Sequence, residues 1–124
     1  MHDPAPFRVS SRLRSVRYAV AGIWLTLRTQ HNAWLHLAAS VAVLTLGAMA
    51  GLARLEWALI ILAIAMVWMA EAINTSFEML CDVASPEFHP LVKNAKDVAA
   101  GAVLLSAVGA VAIGALVFFP HFFP

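Results

Sequence analysis

The chain has 124 residues, 62% of them hydrophobic and 12% charged, with a formal net charge of +1. A composition this apolar excludes an ordinary soluble domain, the near-neutral balance leaves no broad basic surface for nucleic acid, and the single cysteine, Cys81, allows no internal disulfide. What remains is an all-α membrane protein, read as one membrane-embedded domain over residues 1–124.

Residues 1–8, M-H-D-P-A-P-F-R, hold two prolines and no apolar period, and read as a mobile tail. From Val9 to about Arg28 the pattern becomes helical. Leu13, Val16, Val20, Ile23 and Leu27 recur on one side, while Arg14, Arg17 and Arg28 fall on another. That predicts an amphipathic surface helix over about 9–28, lying on an anionic leaflet. The basic stretch before the first apolar run is too long for a cleaved signal peptide.

Thr29-Gln30-His31-Asn32 reads as a polar hinge. A first span follows at about 33–52, long enough to cross the hydrocarbon core. His36 is its one strongly polar member and reads as a helix–helix hydrogen bond or headgroup contact rather than a ligand. Gly47-Ala-Met-Ala-Gly51 matches a small-residue packing motif, a weak signal in so apolar a run. Ala53–Glu56 is short enough only for a tight turn. A second span is expected at about 57–80, a cytoplasmic polar loop at 81–97 and a third span at about 98–119. Within the loop, Ser85-Pro86-Glu87 reads as a helix start, with Pro90 limiting the helix behind it. In the third span Ala102, Ser106, Ala110 and Gly114 form a stripe suited to close helix packing.

The chain is thus expected to hold an amino-terminal surface helix and three transmembrane helices. Arg8, Arg12, Arg14, Arg17 and Arg28 all precede the first span, opposed only by Asp3. The positive-inside rule then places the amino-terminal helix, and with it the 81–97 loop, in the cytoplasm.

The chemistry is concentrated between Ala70 and Asp97. Glu71, Asn74, Glu78 and Asp82 are spaced to share one narrow helical stripe. An acid inside an apolar helix costs a few kcal/mol on insertion scales, which makes it a functional candidate. The sequence has neither a G-x-x-x-x-G-K-[ST] loop nor G-x-G-x-x-G, so a nucleotide would have to be held by charge and metal. Phosphoryl transfer needs a cation on the phosphate oxygens and a base on the acceptor hydroxyl. Glu78 and Asp82 offer carboxylates for magnesium near the cytoplasmic rim. Lys93 and Lys96 can offset phosphate charge, with Lys93 the weaker candidate. Asp97 can ligate metal or accept from a nucleoside. Glu71 sits about 10 Å deeper than Glu78, where a lipid hydroxyl could meet a general base, and Asn74 could orient that hydroxyl or the phosphate.

The order E-A-I-N-T-S-F-E-x3-D, then P-E-F-H-P-L, then A-K-D-V-A-A-G-A-V-L-L resembles the prokaryotic diacylglycerol kinase and undecaprenol kinase family over about residues 12–118. The resemblance implies a small homotrimeric membrane enzyme that phosphorylates a lipid alcohol with ATP and Mg2+, its active sites shared between subunits. It implies Glu71 as the catalytic, substrate-facing glutamate and Glu78 as a metal ligand. Asn74, Glu87, His89, Lys96 and Asp97 match positions around the nucleotide, and Ala100 a position on the lipid side. At the hinge, relatives carry a glutamate that is a second metal and nucleotide-site ligand, in a T-E-R-N-like context. Here Gln30 stands in its place, offering a carbonyl oxygen but no charge, and should hold magnesium more weakly. I-N-T-S-F-E and A-K-D-V-A-A-G-A look slightly more like the undecaprenol branch.

Two other readings accommodate part of the pattern. A non-enzymatic intramembrane proton or ion pathway would use Glu71 and Glu78 but leaves P-E-F-H-P and the Lys-Asp pair unexplained. A structural membrane subunit would show no nucleotide dependence.

Overall fold

The computed structural model describes residues 6–124; the tail expected at the amino terminus falls, for residues 1–5, outside the described residues. Four helices follow in chain order: α1 (Val9–Thr29), α2 (His31–Ala50), α3 (Arg54–Ala84) and α4 (Pro90–Phe122), with no strand among the described residues. The last three are long and apolar enough to cross a membrane.

The apolar side of α1 finds no partner within the chain: Leu13, Val16, Val20 and Ile23 are each more than half exposed. That is the expected state of a helix whose apolar face meets lipid. Only its last turn is packed, where Thr26 is buried and, with Ile23, faces Trp68 and Ala72 of α3. Arg28 in that last turn lies at the end of the helix dipole that favours a cation. The four-residue hinge contracts to Gln30, whose N–H donates to Thr26 O and whose carbonyl accepts from Ala33 N.

With 20 residues, α2 is about 30 Å long, the thickness of the hydrocarbon core. It ends at Gly51, at φ 67°, the one positive φ among the described residues. Gly47 has a separate purpose. A Cβ built there would fall 2.8 Å from the Trp57 ring and 3.0 Å from Leu52, so its missing side chain lets α3 start across α2. The two glycines of the small-residue motif therefore serve one close contact and one left-handed cap. Gly51→Ala should cost about 1–2 kcal/mol of stability, read as a lowered thermal midpoint in detergent micelles with activity retained at low temperature.

Leu52, Ile60 and Val117 form the buried apolar core near that turn, with Trp57, Ile64, Ile113 and Phe118 packed around them. At the same end Glu56 accepts from Ala53 N at 2.8 Å and faces His121 Nε2 at 3.0 Å, tying the start of α3 to the end of α4. Helices α3 and α4 make the most extensive pairing in the chain. The small-residue stripe of α4 nevertheless does not close on it. Ala110 and Gly114 line an apolar cavity of about 350 Å³ with Ile60, Val67 and His36, and a Cβ on Gly114 would meet nothing within 4 Å. Large apolar side chains elsewhere, Leu105 and Leu116 among them, stand exposed for lipid or a neighbouring protein to cover.

At the other end, both helices run past the limits expected for the spans. Cys81–Ala84 continue α3, and Pro90–Asp97 make the first turns of α4, so the connection narrows from the expected 81–97 to residues 85–89. Nothing in α3 breaks the helix, since Arg54–Ala84 contains neither glycine nor proline. The helix start read at Ser85-Pro86-Glu87 comes too early: Ser85 caps α3, and its hydroxyl donates to Glu87 O at 3.1 Å. The start that forms is Pro90 at N1, where its missing N–H is no loss, with His89 Nδ1 accepting from Leu91 N at 3.2 Å. At about 46 and 50 Å, α3 and α4 exceed the hydrocarbon core, so their polar ends project beyond it.

Candidate active site

Because α3 is unbroken, the stripe expected from spacing forms as one surface, and its burial falls steadily toward the connection. Glu71 is 1% exposed and Asn74 is 7% exposed; Glu78 is half-buried and the Asp82 side chain is largely open. The deepest acid is held from two sides. Its Oε2 lies 3.3 Å from His36 Nε2 on α2, and its backbone carbonyl accepts from Thr75 Oγ1 at 2.8 Å. An ionised carboxylate can only accept, so the imidazole nitrogen is the donor when Glu71 carries its charge. The other oxygen, Oε1, accepts no hydrogen bond from the described residues. One oxygen is thus anchored and one remains for a proton donor.

One turn on, Asn74 Nδ2 donates to Glu78 Oε1 at 3.2 Å. Asn74 Oδ1 is buried and has no partner among the described residues. Leaving such an acceptor unpaired costs about 1–3 kcal/mol, which marks it as waiting for something outside the chain. Together with the Glu78 carboxylate it supplies oxygen donors of the kind magnesium prefers, one carboxylate with the remaining positions left to water and phosphate. The residues therefore fit that ion, although among the described residues no three of His, Cys, Asp and Glu gather as a metal cluster. Gln30 is half-buried at the break between α1 and α2, and no side-chain hydrogen bond among the described residues joins it to Glu78.

Past Glu78 the connection folds over a second concavity of about 350 Å³, whose walls include Asp82, Glu87, His89, Lys96 and Asp97. Lys96 Nζ reaches across from α4 to Asp82 Oδ1 at 2.9 Å, while Lys93 pairs with Asp97 along α4 at 2.6 Å. Both pairs are exposed, so neither contributes much to stability. Their relevance is that the cationic groups lie beside a solvent-open recess. Of the residues expected around a nucleotide, Glu87, His89, Lys96 and Asp97 come together here. Asn74 and Glu78 form the adjoining, deeper cluster. Ala100 stands apart: it is exposed on α4 and does not line the groove beside Asn74, whose walls include Met69, Ile73, Ala99 and Ala102.

Two participants were only partly visible in the sequence. Asp82 stood on the stripe as a carboxylate, but nothing marked it as the partner of Lys96, fourteen residues away. His36 carried the signal of a helix–helix hydrogen bond without a sign of its partner, which turns out to be the buried acid itself.

The chain is 43% identical over 107 residues to the undecaprenol kinase of Bacillus subtilis, covering 86% of this chain and 87% of that one. It is 38% identical over 109 residues to a diacylglycerol kinase of Synechocystis, covering 87% of this chain but 62% of the relative. A diacylglycerol kinase of Helicobacter pylori matches over a shorter stretch, 44% identical over 54 residues, or 44% of this chain and 42% of the relative. Residues 17–118, from within α1 to near the end of α4, match the family described as prokaryotic diacylglycerol kinase. The buried acid, the rim cluster and all but the last turn of the membrane helices lie inside that match, and the chain belongs to the prokaryotic diacylglycerol kinase family, a family of membrane lipid kinases.

Proposed function

We propose that the protein transfers the γ-phosphoryl group of ATP to the hydroxyl of undecaprenol, with Glu71 as general base. The observation that carries this reading is the gradient along α3: a buried carboxylate with one free oxygen, then an oxygen-donor pair, then a charged recess at the rim where Lys93 and Lys96 stand among Asp82, Glu87 and Asp97. The polar connection makes room for the nucleotide, with Lys96 on its phosphates and Glu87, His89 and Asp97 around the rest. Asn74 and Glu78 lie between nucleotide and acceptor, where Mg2+, when bound, would neutralise charge on the transferring phosphoryl group. Glu71 takes the proton of the lipid hydroxyl through Oε1 while Oε2 stays on His36. Ala100, on the exposed face of α4, would contact the lipid side. The whole of residues 1–124 acts as one unit, with α1 on the cytoplasmic leaflet of the inner membrane and the 85–89 connection facing the ATP pool.

A homotrimer with shared active sites suits the exposed apolar faces of α2 and α4 and the open small-residue stripe. Undecaprenol is preferred to diacylglycerol as acceptor because the undecaprenol kinase of Bacillus subtilis matches along most of both chains, whereas the Synechocystis diacylglycerol kinase extends well beyond this one. The test is transfer of label from ATP by the purified protein in mixed micelles, with undecaprenol and diacylglycerol supplied separately. Faster turnover of undecaprenol supports the assignment; turnover of diacylglycerol alone overturns the acceptor, and turnover of neither overturns the reading.

Gln30 tests the metal assignment. Gln30→Glu restores a charge at the hinge, and the magnesium concentration for half-maximal activity should fall by roughly tenfold, about what one added charge-assisted contact supplies. An unchanged magnesium titration would remove residue 30 from the metal site.

A further inference from the structure

His36 is the only described side chain to hydrogen-bond the Glu71 carboxylate, and the contact crosses from α2 to α3. The ring is itself constrained. It lies edge-on to Trp68, centroids 6.4 Å apart and planes at 67°. Trp68 Nε1 donates to Ser40 Oγ at 3.0 Å, and Ser40 Oγ donates to His36 O at 2.6 Å. The imidazole thus packs against the indole of α3, while Ser40 joins that indole to the backbone of α2. It also forms part of the wall of the apolar cavity between α2, α3 and α4, so little water reaches it to compete for the carboxylate.

Resting on the assignment of Glu71 as base, we propose that His36 is a positioning residue that holds the Glu71 carboxylate in one orientation, with the oxygen it does not bond facing the acceptor hydroxyl. Glutamate has three rotatable bonds between backbone and carboxylate. The His36 Nε2–H on Oε2 stops rotation about the last of them and leaves Oε1 as the proton acceptor. Without it the carboxylate rotates in its pocket, and productive orientations become a fraction of the whole. A misplacement of about 1 Å near a reacting centre can cost on the order of 10²-fold in rate. The loss falls on kcat, since His36 faces neither the rim recess nor the Asn74–Glu78 pair.

The test compares His36→Ala, His36→Gln, Ser40→Ala and Glu71→Gln in one preparation, with kcat, the KM for ATP and the thermal midpoint measured for each. His36→Ala should lower kcat by roughly 10- to 100-fold with the KM for ATP changed by less than about twofold. His36→Gln, whose amide nitrogen can occupy the Nε2 position, should recover most of that loss. Ser40→Ala removes the neighbouring α2–α3 hydrogen bond without touching Glu71, and should lower the midpoint while sparing kcat. Parallel losses of kcat and midpoint in His36→Ala and Ser40→Ala would show a merely structural histidine and overturn the proposal. So would a His36→Gln enzyme as slow as His36→Ala. Full activity in His36→Ala beside an inactive Glu71→Gln would sink the positioning role alone; an active Glu71→Gln would remove the base on which it rests.

Discussion

Glu71→Gln is expected to slow phosphate transfer by about 10²- to 10⁴-fold, the range that a positioned general base contributes. The amide keeps the shape of the carboxylate and can still accept from His36 through its oxygen, so folding and the α2–α3 contact should survive. What it lacks is an oxygen able to take a proton. The KM for ATP should stay near that of the parent protein, because the charged recess at Asp82 and Lys96 lies about three turns beyond Glu71. The check is a kcat measurement under saturating lipid and ATP, together with retention of ATP by equilibrium dialysis. A glutamine variant within tenfold of the parent rate would mean that the hydroxyl loses its proton elsewhere.

The second large effect is expected at Lys96. Its ammonium is paired with Asp82, an arrangement that holds the cation at the edge of the recess until a phosphate competes for it. Lys96→Met should raise the KM for ATP by roughly 10- to 100-fold, as loss of a charge-assisted contact to phosphate does. Asp82→Asn should move it the other way or leave it unchanged, since it frees the same ammonium. A parallel rise in both variants would show that the pair as a whole, rather than the cation, shapes the recess. The comparison is made at fixed ionic strength, because exposed charges are screened by salt.

Much of this site was legible before the fold was known, for a definite reason. Glu71, Asn74, Glu78 and Asp82 lie on one uninterrupted helix, and a helix turns spacing into direction without help from tertiary structure. The same holds for the apolar runs that became α2, α3 and α4. What depends on how helices rotate against each other was not legible. The His36–Glu71 contact belongs to the α2–α3 packing, together with Trp57 over Gly47 and Trp68 on Ser40, which no periodicity encodes. The connection was misplaced because two start signals compete within a few residues. Pro90 prevails over Pro86 with an imidazole serving as the cap, a residue type outside the usual capping set. Gln30 sits at the hinge in both views, because a polar residue between two apolar helical runs marks the break without help from tertiary structure.

The unbroken run of α3 from Arg54 to Ala84 has a further consequence. With no glycine or proline to bend it, the helix acts as a gauge whose two marks, Glu71 and Glu78, stay about 10 Å apart along its axis whatever the lipid. Any tilt of the rod moves both marks together. On the proposed role of Glu71 as base, the acceptor must bring its alcohol to one depth below the headgroups, and a lipid is judged by where its oxygen floats before the shape of its tail is consulted. Two alcohols with unlike tails but equal depth would look alike to such a gauge, while one extra residue between the marks would turn the base by about 100° out of line with the phosphate.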